Sequence, residues 1–397
     1  MKKSALILAF AICSIFGAEA QKKIPHAVRT INEVAARRTE IILPQVKGYN
    51  CYKADFHIHT SYSDGQVNPA GRVSEAWLDG LDIIAITDHY ESRRGEREFL
   101  KVIAPYTESG EPMKYLPASS AKSIKADFNT IHKEAEAQIK KWGYPMLLIK
   151  GCEMARNAET HGHFNALFLK DINTVYDEDM GEAFRKVREQ GGIVIHNHPA
   201  WSRKTSEKTE FHEAVYREGL ISGVEVANGT TFYPHIVRRC VEEKLTMFGN
   251  TDSHEQTAHR FHSMGVFRTM TLIFAKELTE KAIKEAILKR RTIAYSGGSL
   301  IGEESWLVEF LNAAVECRFV KEDLKKETRT FVLTNTSSIP YRLLRGRTVY
   351  ELEPFKSLQI SIGKNKESGK YEPLKLTVEN MWHIDYQHPI IEIEIDK

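Results

Sequence analysis

From residue 51 to about 300, short apolar runs rich in β-branched residues alternate with longer stretches whose apolar positions recur every three or four residues. The runs at 53–59, 83–87, 146–151, 164–169, 192–196, 223–226 and 246–250 predict strands. The stretches at 70–78, 123–142, 182–190, 207–218, 235–243 and 278–290 predict helices. Asn68-Pro69 marks the first helix start, because Asn accepts from a free first-turn amide and Pro fixes φ where no donor is missed. Repeated strand–helix alternation predicts an α/β fold with a parallel sheet. This many units suits a closed barrel, with an open doubly wound sheet as the alternative.

The period changes after Ser296-Gly297-Gly298-Ser299. Runs at 316–320, 328–333, 341–344, 357–362, 374–378 and 390–395 alternate as half-exposed strands do, with turns at 335–338 and 363–369. Residues 301–397 are therefore expected to form a small β-sandwich-like domain behind a barrel at 51–300. The segment 91–125, containing Gly110, Pro112 and Pro117, reads as an excursion beside the barrel mouth. At the N-terminus, Lys2 and Lys3 precede an apolar run at 5–17 and then Ala18-Glu19-Ala20. That is the layout of a secretory signal peptide over residues 1–20, followed by a lead segment over 21–50. The run is short for a bilayer span, and no other stretch is apolar enough for one. The mature chain is expected to be soluble and exported, periplasmic or secreted.

Hydrophobic residues at 42% and charged residues at 27% exclude a disordered or low-complexity chain. Fifty-five basic residues against 53 acidic ones leave no global field for nucleic acid, which argues against such a partner. Cys51, Cys152, Cys240 and Cys317 show no CxxC spacing and are expected to be free thiols. Histidine is the exception to this ordinary composition: 13 of the 16 lie between His57 and His262.

In Asp55-Phe56-His57-Ile58-His59-Thr60, strand geometry puts Asp55, His57 and His59 on one face and Phe56 and Ile58 on the other. Two imidazoles on one face make a metal-binding pair, and Asp55 can hold one of them in the required tautomer. One HxH decides little, since chance supplies about 0.6 in a chain with this many histidines. This chain has three: His57/His59, His161/His163 and His196/His198. Thr87-Asp88-His89, Glu153 and Asp252-Ser253-His254 likewise follow apolar runs, where α/β folds gather their active sites. The array points to a multinuclear site of two or three divalent ions. Imidazole and carboxylate without thiolate suit Zn, Mn or Fe.

Taken together, Asp-x-His-x-His-Thr, Ser-Asp-Gly, Thr-Asp-His, Gly-x-Glu, His-Pro and Asp-x-His resemble the motif order of the PHP (polymerase and histidinol phosphatase) superfamily of metal-dependent phosphoesterases. With its leader and β-rich extension, the layout is similar to Sb-PDE-type phosphodiesterases. The resemblance implies a distorted (β/α)7 barrel. It also implies a first metal on His57, His59, Glu153 and Asp252, and a second bridged by Glu153 to His163 and His198. A third would use His89, His254 and Asp64, although some relatives carry His one place later, where this chain has Gly65. The motif match leaves each histidine pair open. His163, which opens an apolar run, and His198, which precedes Pro199, are the expected ligands, with His161 and His196 as adjoining candidates.

The resemblance further implies hydrolysis of a phosphodiester by a hydroxide bridging the metals, with a phosphomonoesterase or a non-catalytic metal-binding module as alternatives. Glu153, His254 and Asp88 are the expected catalytic residues, Asp88 chiefly by orienting a ligand histidine and otherwise as a proton shuttle. Arg203, Arg260 and Asn228 fall near the expected mouth as contacts for a small phosphoester, as do Arg93 and Arg94. The basic residues of 278–291 interleave with Glu277, Glu280 and Glu285, as on an outer barrel helix.

Overall fold

The computed structural model describes residues 37–91 and 127–393. The leader, most of the lead segment, Arg93, Arg94 and nearly all of the 91–125 excursion lie outside the described residues, as does the end of the last strand.

The barrel strands are β1 (Asn50–Asp55), β2 (Ile83–Ile86), β3 (Leu147–Ala155), β4 (His163–Leu167), β5 (Ile193–His196), β6 (Ile221–Asn228), β7 (Thr231–Phe232), β8 (Thr246–Asn250), β9 (Met270–Ala275), β10 (Thr292–Ser296) and β11 (Ser299–Gly302). They form a curled sheet in the order β11-β10-β9-β1-β2-β3-β4-β5-β6-β7, with β8 paired to β6. The sheet is mixed, not all parallel. β4 runs antiparallel to both β3 and β5, and β9 antiparallel to β1 and β10. A short connection from β3 to β4 permits only that hairpin, since a parallel return needs a crossover of a dozen or more residues.

The barrel interior is filled from β1, β2, β3, β4, β5, β8 and β9, whose Ala54, Ile83, Ala85, Ile149, Leu167, Ile195, Phe248 and Ile273 meet in one cluster with Phe56. Toward β9 and β10, side-chain hydroxyls hold β8: Thr271 Oγ1 accepts from Gly249 N at 3.0 Å, and Thr292 Oγ1 donates to Met247 O at 2.8 Å. Gly249 is needed there, because a Cβ would lie 2.9 Å from that of Ala294. The first barrel helix, α1 (Pro69–Leu78), begins as expected, with Asn68 accepting from Gly71 N and Pro69 in its first turn.

A helix follows β11 that the alternation after residue 300 did not predict, α2 (Glu304–Ala314). It lacks a side-chain N-cap, so the sequence carries no start signal, but Leu307, Phe310, Leu311 and Ala314 line one buried face at helical spacing. Beyond it lie a three-stranded antiparallel sheet and a four-stranded one, the expected small β domain. Through Phe310 and Leu311 the barrel residues Met270, Leu272 and Phe274 share a core with Phe331, Tyr341 and Leu376 of those sheets. Phe310→Ala should therefore cost about 3–5 kcal/mol, as truncations of buried aromatics do. In calorimetry barrel and β domain should melt together at a lower temperature, and an unshifted barrel transition would mean that the two parts fold independently.

Candidate metal centre

The ligand-type residues sit where the barrel strands end. Past β1 the chain stays extended, so Phe56 and Ile58 enter the core while His57 and His59 face the opposite way, all four fully buried. An isolated parallel bridge ties Ile58 to Ser253, and Asp252 N donates to His57 O at 2.9 Å. Asp252 (φ 52°) and His198 (φ 24°) both hold left-handed backbone, a conformation non-glycine residues keep where neighbours over-determine it.

Glu153, on β3, is the hub and is fully buried. Its oxygens lie 3.4 Å from His57 Nε2, 3.4 Å from His59 Nε2, 2.9 Å from His89 Nδ1, 3.3 Å from His163 Nδ1 and 3.6 Å from His198 Nε2. Asp252 Oδ1 is 3.2 Å from His57 Nε2 and 3.1 Å from His59 Nε2. At the rim, Asp64 Oδ2 is 3.1 Å from His254 Nε2 and 3.4 Å from His89 Nε2. Three overlapping sets of donor atoms result: His57, His59 and Glu153; His89, Glu153 and His163; and His59, Asp64, His89 and His254. His57, His198 and Asp252 form a fourth grouping between them.

The donors fit divalent cations. Nε2 of His57 and of His59 face each other at 3.1 Å, an arrangement that a shared cation relieves. Glu153 Oε2 and His89 Nδ1, though close, are not aligned for hydrogen bonding, and both are buried without a hydrogen-bond partner among the described residues. Gly65 also explains why oxygen, not imidazole, completes the rim set: a Cβ there would lie 2.6 Å from the carbonyl carbon of His59, so Asp64 reaches the site instead.

Burial opposes charge on His57, but the carboxylates of Asp252, Glu153 and Glu225 outweigh it and hold its pKa well above the ordinary value. His89 is raised to about 10 against burial, by Glu153 and Asp64. Burial opposes charge on Glu153 as well, and His57 and His89 nevertheless hold it far below the usual range. These histidines therefore carry protons at neutral pH, and ligation must displace them. Metal uptake at pH 7 should release protons, measurable by pH-stat, and affinity should fall as pH falls. A raised folded-state pKa stabilises below the unfolded value of about 6.5 and ceases to do so as pH rises through the folded value. The metal-free protein should thus lose stability between about pH 6.5 and 10, and a flat melting temperature across that window would contradict the charge assignment.

Several expected residues lie elsewhere. Asp55 touches no imidazole ring: its oxygens accept from Thr251 N and Oγ1, His57 N and Arg268, because Arg268 is fully buried beneath the site and needs a carboxylate partner. Glu225 holds the ring instead, at 2.9 Å from His57 Nδ1, and accepts from His198 N at 2.7 Å. Its signal in the sequence was a single charge inside the apolar run of β6. Asp88 does not orient a histidine either. It accepts from Thr60 N, Thr60 Oγ1 and Ser63 Oγ and so fixes the loop that carries Asp64. Of the open pairs, only His163 and His198 join the cluster. His161 Nδ1 meets Thr160 Oγ1 and His196 Nδ1 meets Tyr216 OH, both outside it. Asn228 Nδ2 reaches Glu225 at 2.9 Å and Asp252 at 3.4 Å. Arg203 donates to Glu207 O, and Arg260 lies over Gly229, where a Cβ would strike its guanidinium.

The model of the PHP domain family matches residues 55–262, the span that carries every one of these donors. The chain belongs to the PHP domain family. This PHP protein is similar over 91% of its length, and over 100% of the other chain, to a solved two-domain protein of Bacteroides vulgatus ATCC 8482, with 32% identity and a TM-score of 0.78. That protein is described as containing a predicted PHP-like metal-dependent phosphoesterase. Fainter likenesses reach a putative metal-dependent phosphoesterase of Bifidobacterium adolescentis (15% identity, 59% of this chain, 96% of that one, TM-score 0.37). Another is to a lesion-specific endonuclease of Pyrococcus furiosus (16% identity, 64% of this chain, 59% of that one, TM-score 0.38). No curated protein matches the sequence. The chain is a PHP-like metal-dependent phosphoesterase, with His, Asp and Glu clusters that fit several divalent ions.

Proposed function

We propose that this protein is an exported phosphodiesterase acting on a small phosphoester with two or three Zn, Mn or Fe ions. The observation that carries the reading is the buried Glu153, whose two oxygens face ligand nitrogens from four separate segments of the barrel mouth. Bound divalent ions supply Lewis acidity, neutralising phosphoryl oxygens and lowering the pKa of water. The chain itself does the positioning. Glu225 fixes the His57 ring, Asp88 fixes the loop of Asp64, and Asn228 steadies Asp252.

The diester preference is supported by the sparse cationic lining. Arg203 is drawn to the Glu207 carbonyl. Arg260 makes no hydrogen bond or ion pair among the described residues, which leaves a single guanidinium beside Asn228 for a phosphoryl monoanion. His254 is the most exposed of the clustered histidines, and Asp64 and Asp252 raise its pKa against burial. It is placed to serve the departing alkoxide. His254→Ala should lower kcat roughly 10²-fold for esters of weakly acidic alcohols while at least two ions per chain remain. Equal loss of all metal would contradict this division of labour.

Export is supported by the leader at residues 1–20, and finding the intact N-terminus in a cytosolic fraction would oppose it. Among the described residues no helix is long and apolar enough to cross a membrane. Metal content should be read together with rates on bis(p-nitrophenyl) phosphate and p-nitrophenyl phosphate. Two or three ions with a diester preference are expected. A monoester preference would overturn the diester assignment, and bound metal without turnover of either ester would overturn the enzyme reading.

A further inference from the structure

Beside the His198-Pro199 turn lies a cavity of about 20 Å³, lined by Gly162, His163, His196, His198, Trp201 and Arg203 among others, with no carboxylate among the described residues of its wall. His163 and His198 belong to the metal cluster and also line the cavity, so the two sites adjoin. Trp201 stands at the rim, 65% exposed, its ring 5.5 Å from both His163 and His198.

His196 is 2% exposed, ends β5 and stacks on Phe164 at 4.6 Å, so its ring is fixed. Nδ1 is 2.7 Å from Tyr216 OH. Burial keeps the Tyr216 hydroxyl protonated, so it can donate to His196 Nδ1. With Tyr216 donating to Nδ1, the hydrogen of the His196 ring sits on Nε2. Nε2 has no hydrogen-bond partner among the described residues and lies on the side of Gly162, where even a Cβ would stay 3.7 Å away. The neighbouring His212 is satisfied at both nitrogens, by Thr209 N and His161 O. A donor on a buried ring thus faces a cavity that has no carboxylate among its described lining residues, that Arg203 also lines and that has room for one oxygen.

We propose that this cavity receives an oxygen of a second anionic group on the substrate, a carboxylate or second phosphate on the part of the ester that does not react. The proposal rests on the phosphoesterase reading, because the reacting phosphate must occupy the adjoining metal centre.

Binding to the Mn-loaded full chain is the test, read by calorimetry without turnover. The probes are ω-phosphonocarboxylates with two to five methylenes, each against the alkylphosphonate bearing methyl in place of carboxylate; the matching bisphosphonates separate carboxylate from phosphate as the source. At one chain length or more, the second anion should tighten binding at least tenfold. His196→Phe, which keeps the ring stack without the donor, and Arg203→Met should each reduce that ratio to below threefold, with metal content retained. ¹⁵N spectra of the imidazoles should show His196 protonated at Nε2. A ratio near one at every length, a ratio that survives both variants, or a His196 protonated only at Nδ1 would overturn the subsite and leave the cavity to water. Failure to hydrolyse any ester would strike the phosphoesterase reading instead, since none of these measurements needs turnover.

Discussion

Glu153→Gln is expected to remove metal and turnover together. The carboxylate is fully buried and faces nitrogens of His57, His59, His89, His163 and His198 within 3.6 Å. An amide keeps the shape but replaces one ligand oxygen with an NH₂ that can only donate, and it removes the charge common to two of the donor sets. It also removes a main support for the raised pKa values of His57 and His89, so their protons are lost more readily. That gain does not compensate, because a neutral amide is a far weaker cation ligand than a carboxylate. Elemental analysis should find no more than one ion per chain, and kcat/KM on bis(p-nitrophenyl) phosphate should fall by about 10³-fold or more. Far-ultraviolet circular dichroism should be unchanged, since the amide fills the same volume. Wild-type turnover in this variant would remove Glu153 from the centre.

Face alternation made the ligands legible, and it did so only up to a point. Period-two geometry places His57 and His59 together, and the apolar runs before Asp88, Glu153 and Asp252 locate the barrel mouth. Alternation says which side a residue faces, however, and not what it meets. Asp55 shares the face of His57, yet its carboxylate is claimed by Arg268 from more than 200 positions away, a pairing no local pattern reveals. The choice within His196/His198 turns on Tyr216, a helix residue whose hydroxyl draws His196 out of the cluster. The helix Glu304–Ala314 escaped for another reason: its apolar positions fit a helix, but without a capping side chain they merge into the β-rich pattern that follows.

Glu225→Gln separates a residue that positions ligands from one that binds metal. Glu225 is fully buried and satisfies four donors at once: His57 Nδ1 at 2.9 Å, His198 N at 2.7 Å, Asn250 Nδ2 at 2.9 Å and Asn228 Nδ2 at 2.9 Å. By accepting at Nδ1 it turns Nε2 of His57 toward Glu153 and Asp252, and its charge makes that nitrogen a stronger metal donor once the Nε2 proton is displaced. Its second oxygen anchors the backbone of His198 where φ is left-handed, so one carboxylate places two ligands. Gln has a single acceptor oxygen and two donor hydrogens, and it cannot satisfy four donors. Metal affinity should fall about 10–100-fold, the range for partners that orient metal-bound histidines. The readout that distinguishes this role is the metal dependence of turnover. Excess Mn²⁺ should restore most of kcat to Glu225→Gln but not to Glu153→Gln, because only the first variant keeps all its ligand atoms. If saturating metal rescues neither, Glu225 acts in the reaction itself; if the metal dependence is that of the wild type, the hydrogen bond to His57 is dispensable, and some other contact fixes that ring.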